Sequence, residues 1–519
     1  MKNVEEFQLS GNGDTTGYDP NVSSYKSNDE QVLAHFGKRQ QLKRNFSLIS
    51  VLGLGSTLML TWEGSIVGIQ PLLINGGPTG AIAAFPVVMT GVSIQVLVMA
   101  EMASMIPLAG GEYNWVAILS PPQLSNFLSY TTGWILTIAW QAACASVTWL
   151  NSSIILAIVS ANYPTYQMKL WHGTMIFYAI VAVSILVNTY LGRIFSSLEA
   201  VAFVLHIVGF FVILIVIIYL APKTDTSVVF GTFINGGNFS HDVLSAIIGA
   251  VSMMYSFNAE EIKDATVTIP RAMIITVLLN GITGWAMLIA MVYCMGPVED
   301  VLTYSFGFPY IPIFQSITNS KGGATTVTCI ILMISIPGSI GFFATASRML
   351  WAFAREDGVP FSRQISTVEP RTALPIYPIA VTVTISLLLA LINLGSTTAF
   401  NALSGLTVAG FYSAFIVSAS VMLYRRLTVA PSDIAWGPFR LGKAGVPLTI
   451  IALVYSFVGW FFSFWPPVSV VTVKSFNWSL VVYCGTMITA MGWWTFRARF
   501  TYIGPRLEAG ICDGGDRSV

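Results

Sequence analysis

Apolar runs of about 18 residues or more, the length a helix needs to cross a hydrocarbon layer, recur along the whole chain. They fall at 48–75, 80–106, 124–160, 173–192, 196–221, 242–258, 270–296, 323–354, 376–395, 398–424, 446–466 and 478–496. A bilayer interior offers no water to the backbone, so such runs must become helices that satisfy their own hydrogen bonds. The expected fold class is an all-α polytopic membrane protein with twelve transmembrane helices. Charged residues make up 9% of the 519-residue chain, against about 25% in soluble domains, which agrees with that reading. A net charge of +1 and the absence of a basic run exclude nucleic acid as a partner. The five cysteines are scattered with no pair at ligand or redox spacing, so neither a metal site nor a cofactor is expected.

Lysine and arginine set the orientation. With the amino terminus cytoplasmic, only Lys169, Lys223, Lys321 and Lys474 fall on outer loops, while Arg193, Lys263, Arg348, Arg355, Arg425, Arg426, Arg440 and Arg497 gather inside. Both termini are then cytoplasmic. The polar residues 1–46 lack the apolar core of a cleaved signal peptide and read as a disordered tail, with a second tail at 498–519. Between them, 47–497 form the membrane domain, divisible into 47–221, 242–424 and the last two helices at 446–497. Sequons at Asn238 and Asn477 fall on outer loops, where chance explains them as well as glycosylation does.

The first run carries a carboxylate near its middle, in Thr61-Trp62-Glu63-Gly64. An acid at that depth costs at least about 2.5–3.5 kcal/mol, so Glu63 faces protein, water or a ligand rather than lipid. Gly53, Gly55, Gly64 and Gly68 weaken the same helix and Pro71 closes it, a pattern that suits a membrane helix broken around a binding site. Glu63 can act there in two ways: as an acid that takes up a proton with the solute, or as a carboxylate that meets a cationic group. A carboxyl simply bonded to a polar neighbour in the bundle is the plainer alternative.

Several stretches carry a resemblance. They are Leu73-Ile74-Asn75-Gly76-Gly77-Pro78, Ala100-Glu101-Met102-Ala103-Ser104-Met105, Ala109-Gly110-Gly111-Glu112-Tyr113, Leu205-His206-Ile207-Val208-Gly209-Phe210, Glu260-Glu261-Ile262-Lys263-Asp264-Ala265, Ala346-Ser347-Arg348-Met349-Leu350-Trp351 and Trp436-Gly437-Pro438-Phe439-Arg440-Leu441-Gly442. In order and over most of the chain, they resemble the fungal amino acid/choline permeases of the amino acid/polyamine/organocation superfamily. The resemblance implies a secondary transporter with a five-plus-five inverted repeat, broken first and sixth helices beside the substrate, and two additional helices. The first break then falls at Thr61 to Gly64. The sixth helix departs from the pattern: about eight residues expected between Phe257 and Glu260 are replaced by Asn258 and Ala259. Seventeen residues from Asp242 to Asn258 make only about 25 Å of helix. Either the helix recruits residues as far as Lys263, or half of the site is absent.

Substrate-binding candidates are therefore Thr61, Trp62, Glu63 and Gly64 on the first helix, Gln141 on the third, and Tyr255, Phe257 and Asn258 on the sixth. His206, in the middle of the fifth run, resembles a proton-coupling residue, with a neutral imidazole bonded to a backbone carbonyl as the alternative. Glu101, Glu112 and the arginines from Arg348 to Arg355 are candidates for an inner gate. The expected function is proton-coupled import of an amino acid or related amine, γ-aminobutyrate and choline included, by alternating access at the plasma or vacuolar membrane. The expected partners are that solute, protons and the lipid bilayer. A non-transporting nutrient receptor and a choline- or polyamine-selective permease are the alternatives, and no enzyme chemistry is expected: the apolar runs hold neither paired metal-ligand histidines nor a phosphate-binding loop.

Overall fold

The computed structural model describes residues 48–108, 110–163, 165–257, 268–302, 309–369, 374–395, 399–473, 475–502 and 504. All of them lie within one unit spanning Arg44–Pro505. The tail expected at 1–46, the tail expected at 498–519 apart from 498–502 and 504, and Asn258 with the stretch that follows it lie outside the described residues; 498–502 instead continue the last helix and end on a buried Tyr502.

Each of the twelve apolar runs is helical. The first is split in three: α1 (Leu48–Met59), α2 (Thr61–Val67) and α3 (Ile69–Ile74). Then come α4 (Gly77–Met105), a short α5 (Glu112–Leu119), α6 (Pro122–Asn162), α7 (Leu170–Thr189), α8 (Gly192–Leu220) and a surface turn α9 (Thr226–Gly231). The second half holds α10 (Asp242–Ser256), α11 (Thr268–Cys294), the short α12 (Val298–Leu302) and α13 (Tyr310–Thr318), then α14 (Lys321–Ala354). After the single turn α15 (Ser362–Ile365) come α16 (Ile376–Gly395), α17 (Ala399–Thr428), α18 (Gly445–Ser463) and α19 (Ser479–Trp493), and a π turn leads to α20 (Arg499–Thr501). Eight of these helices are long and apolar enough by themselves to cross a membrane, and α10 and α16 are shorter apolar helices. Among the described residues the one β contact is an isolated bridge between Asn75 and Asn235.

Helices α6 and α14 cross in the middle of the bundle, and α17 packs on the other side of α6. A buried amide explains part of that register: Asn151 of α6 donates to the Ser335 carbonyl at 3.0 Å and to Ser339 Oγ at 2.6 Å, both on α14. The broken first helix is enclosed by α8, α10, α11 and α14. Close approach to α14 depends on Gly338, where a Cβ would come within 2.6 Å of the Thr57 carbonyl.

The break is physical rather than nominal. Leu60 stands between α1 and α2 at φ 47°, ψ 44°, the left-handed region. A residue with a Cβ there carries about 1–2 kcal/mol of strain that its surroundings must hold. The strained corner is buried, with Leu58, Met59 and Leu60 almost fully removed from solvent. A second interruption follows at Gly68, between α2 and α3.

Because α4 runs from the Asn75 turn to Glu101, these two residues mark opposite ends of the bundle, and 29 residues of helix separate the ends by about 43 Å. At the Asn75 end, the buried Asn75 side chain accepts from Gly237 N–H at 2.9 Å and from Ser245 Oγ at 3.2 Å, and donates to the Pro467 carbonyl at 2.9 Å. At the Glu101 end, Tyr113, Tyr130, Phe353 and Tyr502 stack into an aromatic cluster. Tyr502 and Ser129 share a 2.6 Å hydrogen bond, so the segment after α19 is tied to the start of α6.

The sequons at Asn238 and Asn477 differ in exposure. Asn477 is almost buried and its amide donates to the carbonyls of Ser463 and Trp465, which leaves it engaged rather than presented for glycosylation. Asn238 is exposed, on a left-handed turn at φ 53°.

Candidate functional site

Glu63 follows Leu60 by three residues, so the left-handed corner turns the first residues of α2 toward the neighbouring helices instead of along the α1 ladder. The carboxyl is 2% exposed. Its Oε1 lies 2.7 Å from Nδ1 of His206 on α8, a residue completely removed from solvent. The two groups that sequence reading named separately thus form one buried acid–base pair. Glu63 Oε2 and His206 Nε2 are buried without a hydrogen-bond partner among the described residues. A pair with one spare acceptor and one spare ring nitrogen has room for a proton or a ligand to change its bonding.

Trp62 turns the other way from the expected solute. Its indole N–H donates to the same His206 Nδ1 at 3.1 Å, and its ring stands edge-on to Phe210 at 6.2 Å. It lies against α8, and it lines neither of the cavities described next.

Two cavities flank the break. The smaller, about 30 Å³, is lined by Leu58, Met59, Leu60, Glu63, Val67, Ala143, Val147, Ile331, Ser335, Phe342 and Thr407. The larger, about 100 Å³, reaches the Asn75 end through Pro71, Asn75, Ser252, Trp465, Pro467, Phe476 and Asn477. Gly64, Leu150, Tyr255 and Ser256 line both, so the two cavities share one wall. The smaller has the volume of one or two water molecules. Among the described residues Glu63 is the only carboxylate in either lining, and neither lining contains lysine, arginine or histidine.

The other candidates are placed as follows. Thr61 Oγ1 donates to the Ser256 carbonyl at 3.1 Å, pinning the start of α2 to the end of α10. Gly64 is a point of contact between the same helices: a Cβ there would stand 2.5 Å from Ser256 Oγ. Tyr255 reaches Ser146 on α6 at 2.7 Å and lines both cavities. Phe257 is buried beside Phe85, with ring centroids 5.6 Å apart, and belongs to packing rather than to a cavity wall. Gln141 donates to Thr382 of α16 at 3.1 Å and also lies away from both linings. Asn258 lies outside the described residues. Although α10 is only 15 residues long, it supplies Ile248, Val251, Ser252, Tyr255 and Ser256 to the cavity walls.

Glu199 escaped sequence reading. It is fully buried on α8, and Thr57 Oγ1 of α1 donates to its Oε2 at 2.6 Å. The signal was there: an acid inside an apolar run, seven residues before His206 and so about two helical turns away on the same face. Glu101 also has a partner that spacing did not reveal. It forms a buried ion pair with Arg426 of α17, and its Oε1 accepts from Leu441 N–H at 2.8 Å. The gate expected with Arg348 to Arg355 is, for Glu101, a lock with α17 and the loop after it. Among the described residues no group of three or more histidines, cysteines or acids is placed to hold a metal.

A broken helix, a buried acid and a cavity beside them are the features with which the relatives are compared. A profile described as amino acid permease matches residues 46–487. A Macrophomina phaseolina protein named as an amino acid/polyamine transporter is 29% identical over 419 residues, covering 78% of this chain and 91% of its own length. The choline transporter of Saccharomyces cerevisiae is 28% identical, over 88% of this chain and 82% of its own. The GABA-specific permease of the same yeast is 28% identical, over 81% and 75%. With the profile covering most of its length, the chain is a membrane protein that belongs to the amino acid permease family.

Proposed function

We propose that this protein carries an amino acid or a related amine across its membrane by alternating access, coupled to protons through Glu63 and His206. The observation that carries the reading is Glu63 itself: a buried carboxyl at a strained helix break, bonded to His206 on one oxygen and free on the other, in the wall of the cavity. A proton on this pair and a solute in the adjoining cavity share one wall, which is the geometry that coupling needs. A carboxyl in the lining, with no lysine, arginine or histidine among the described residues there, supports a solute that presents a cationic or neutral group toward Glu63. The relatives' named solutes, amino acids, polyamines, choline and GABA, fall within that range.

The arrangement proposed is twelve membrane helices in a five-plus-five inverted repeat followed by two more, with both termini cytoplasmic at the plasma or vacuolar membrane. In that orientation the Asn75 end faces outward, and the cavity is reached from it. The Glu101–Arg426 pair and the aromatic cluster around Tyr130 and Phe353 close the inner end.

Radiolabelled uptake of amino acids, choline, polyamines and γ-aminobutyrate in a transporter-deficient cell tests the proposal, with surface expression checked in parallel. Accumulation of at least one solute that collapses when the pH gradient is dissipated is expected; no accumulation of any of them would overturn it. A non-transporting nutrient receptor is the second reading, favoured by the short α10, and binding of a solute without flux would establish it.

A further inference from the structure

His206 Nδ1 has two neighbours within hydrogen-bond distance, Glu63 Oε1 at 2.7 Å and Trp62 Nε1 at 3.1 Å. An imidazole nitrogen has one position in the ring plane, which holds either a hydrogen or a lone pair, and an indole nitrogen can only donate. If Nδ1 holds a hydrogen, it donates to a Glu63 carboxylate, and the Trp62 N–H then points at another N–H. Trp62 and His206 are both completely buried, so that indole would lose its acceptor with no water to replace it. If Nδ1 holds a lone pair, it accepts from Trp62, and the 2.7 Å contact to Glu63 requires Glu63 to be the donor. Both contacts coexist only in the second arrangement, with a protonated Glu63 carboxyl and a neutral His206 carrying its hydrogen on Nε2.

We infer that Trp62 is a positioning residue held by His206 only while Glu63 carries the proton, so that loss of that proton releases the indole beside the helix break. The inference rests on the proton-coupled reading of the same pair, and it assigns the moving part. The step is balanced without a redox partner: the Glu63 O–H hydrogen crosses the 2.7 Å contact to His206 Nδ1 and the hydrogen on Nε2 is given up to water, a net loss of one proton from the pair. Trp62 is two residues from the left-handed Leu60, so the indole that lets go is the first large side chain after the break. Gly209 lies opposite the ring, where a Cβ would stand 3.7 Å from Trp62 Cζ2 and 3.2 Å from the side chains of Ile330 and Ile334.

Few other groups compete for this proton. On α8 itself Glu199 is bonded to Thr57 of α1, about two turns away. From α2 the facing group is Glu63, and α1 contributes no ionisable side chain. On α11 only Arg271, Tyr293 and Cys294 ionise, all near its ends; on α14 there are Lys321, Cys329 and Arg348, on α13 Tyr310, on α7 His172 and Tyr178, and on α10 Asp242 at its start and Tyr255, which lines the cavity beside Glu63 and is bonded to Ser146.

Ultraviolet resonance Raman of the full-length protein in lipid nanodiscs reads the indole directly, as the difference between wild type and Trp62→Phe, titrated from mildly acid to mildly alkaline pH. The expected result is a hydrogen-bonded Trp62 N–H at acid pH that is lost as pH rises. Glu63→Gln, whose amide still donates to Nδ1, keeps the band bonded across the range, whereas His206→Phe removes it throughout. A Trp62 signal that does not change with pH in the wild type, or one that still changes in Glu63→Gln, would overturn the inference. The wild-type titration decides on its own if a variant does not fold. Since no solute is present, an indole that switches in a protein that carries nothing overturns the transport reading alone.

Discussion

Two buried acid–base pairs sit at different depths in this bundle, and they are built to opposite ends. Glu101 uses both oxygens, one on Arg426 and one on Leu441 N–H, and the Arg426 guanidinium also lies over Trp436 at 4.9 Å from the ring centroid. Gly445 makes room for that guanidinium, since any Cβ there would collide with it. Arginine stays charged at every accessible pH, so this pair has one state. Glu63 uses one oxygen, on His206 Nδ1, and its other oxygen has no hydrogen-bond partner among the described residues. A carboxylate with both oxygens bonded beside a permanent cation is a lock. A carboxyl with one oxygen unpartnered among the described residues leaves room for a proton or a ligand.

The contrast can be broken from the Glu101 side first, where the largest effect is expected. Removing one member of a buried pair leaves an uncompensated charge, at about 3–5 kcal/mol. Arg426→Met should therefore lower the melting temperature of the purified protein strongly, and adding Glu101→Gln to it should recover part of the loss. If the double variant is as unstable as the single one, the pair is not acting as a lock. Next comes the break beside Glu63. Gly64→Ala places a methyl group against Ser256, and overpacking of this kind costs about 1–3 kcal/mol. Pairing it with Ser256→Gly should restore the melting temperature, which checks that α2 and α10 meet at this point.

Glu63→Gln should be far gentler to the fold than Arg426→Met, costing about 1 kcal/mol or less, because the amide keeps a donor toward His206. A melting temperature that falls as far as in Arg426→Met would make the two pairs alike. The smallest effect is expected at an ordinary interhelical bond. Gln141→Leu, which removes the contact to Thr382, should cost roughly 0.6 kcal/mol, the typical value for a membrane helix pair, and leave uptake unchanged.

The contrast also explains what could be read from sequence. The twelve apolar runs were legible because an apolar run in a membrane protein has to satisfy its own backbone, and each is helical, with eight helices long and apolar enough by themselves to cross a membrane. Glu63 stood out because an acid is costly in such a run, and His206 because an imidazole is rare there. What was not legible was direction and partnership. Trp62 and Glu63 are adjacent in sequence, and only the left-handed Leu60 determines that the indole goes to α8 while the carboxyl reaches both α8 and the cavity. Arg426 is 325 residues from Glu101, and no periodicity links positions on α4 and α17. Phe257 and Gln141 were polar or aromatic enough to suggest binding, and packing absorbed them. Glu199 obeyed the same rule as Glu63 and could have been found by it.

Proton movement with solute is the most direct test of the role given to Glu63. In proteoliposomes with a pH-sensitive dye inside, each of the candidate solutes is added in turn to wild type and to Glu63→Gln. With one proton per solute, each unit of pH gradient is worth about 1.4 kcal/mol, or about tenfold accumulation. The wild type should acidify the lumen when its solute enters and should accumulate it by about that factor. Glu63→Gln should exchange the solute with no pH change and no accumulation. Solute-driven acidification that persists undiminished in Glu63→Gln would contradict the account.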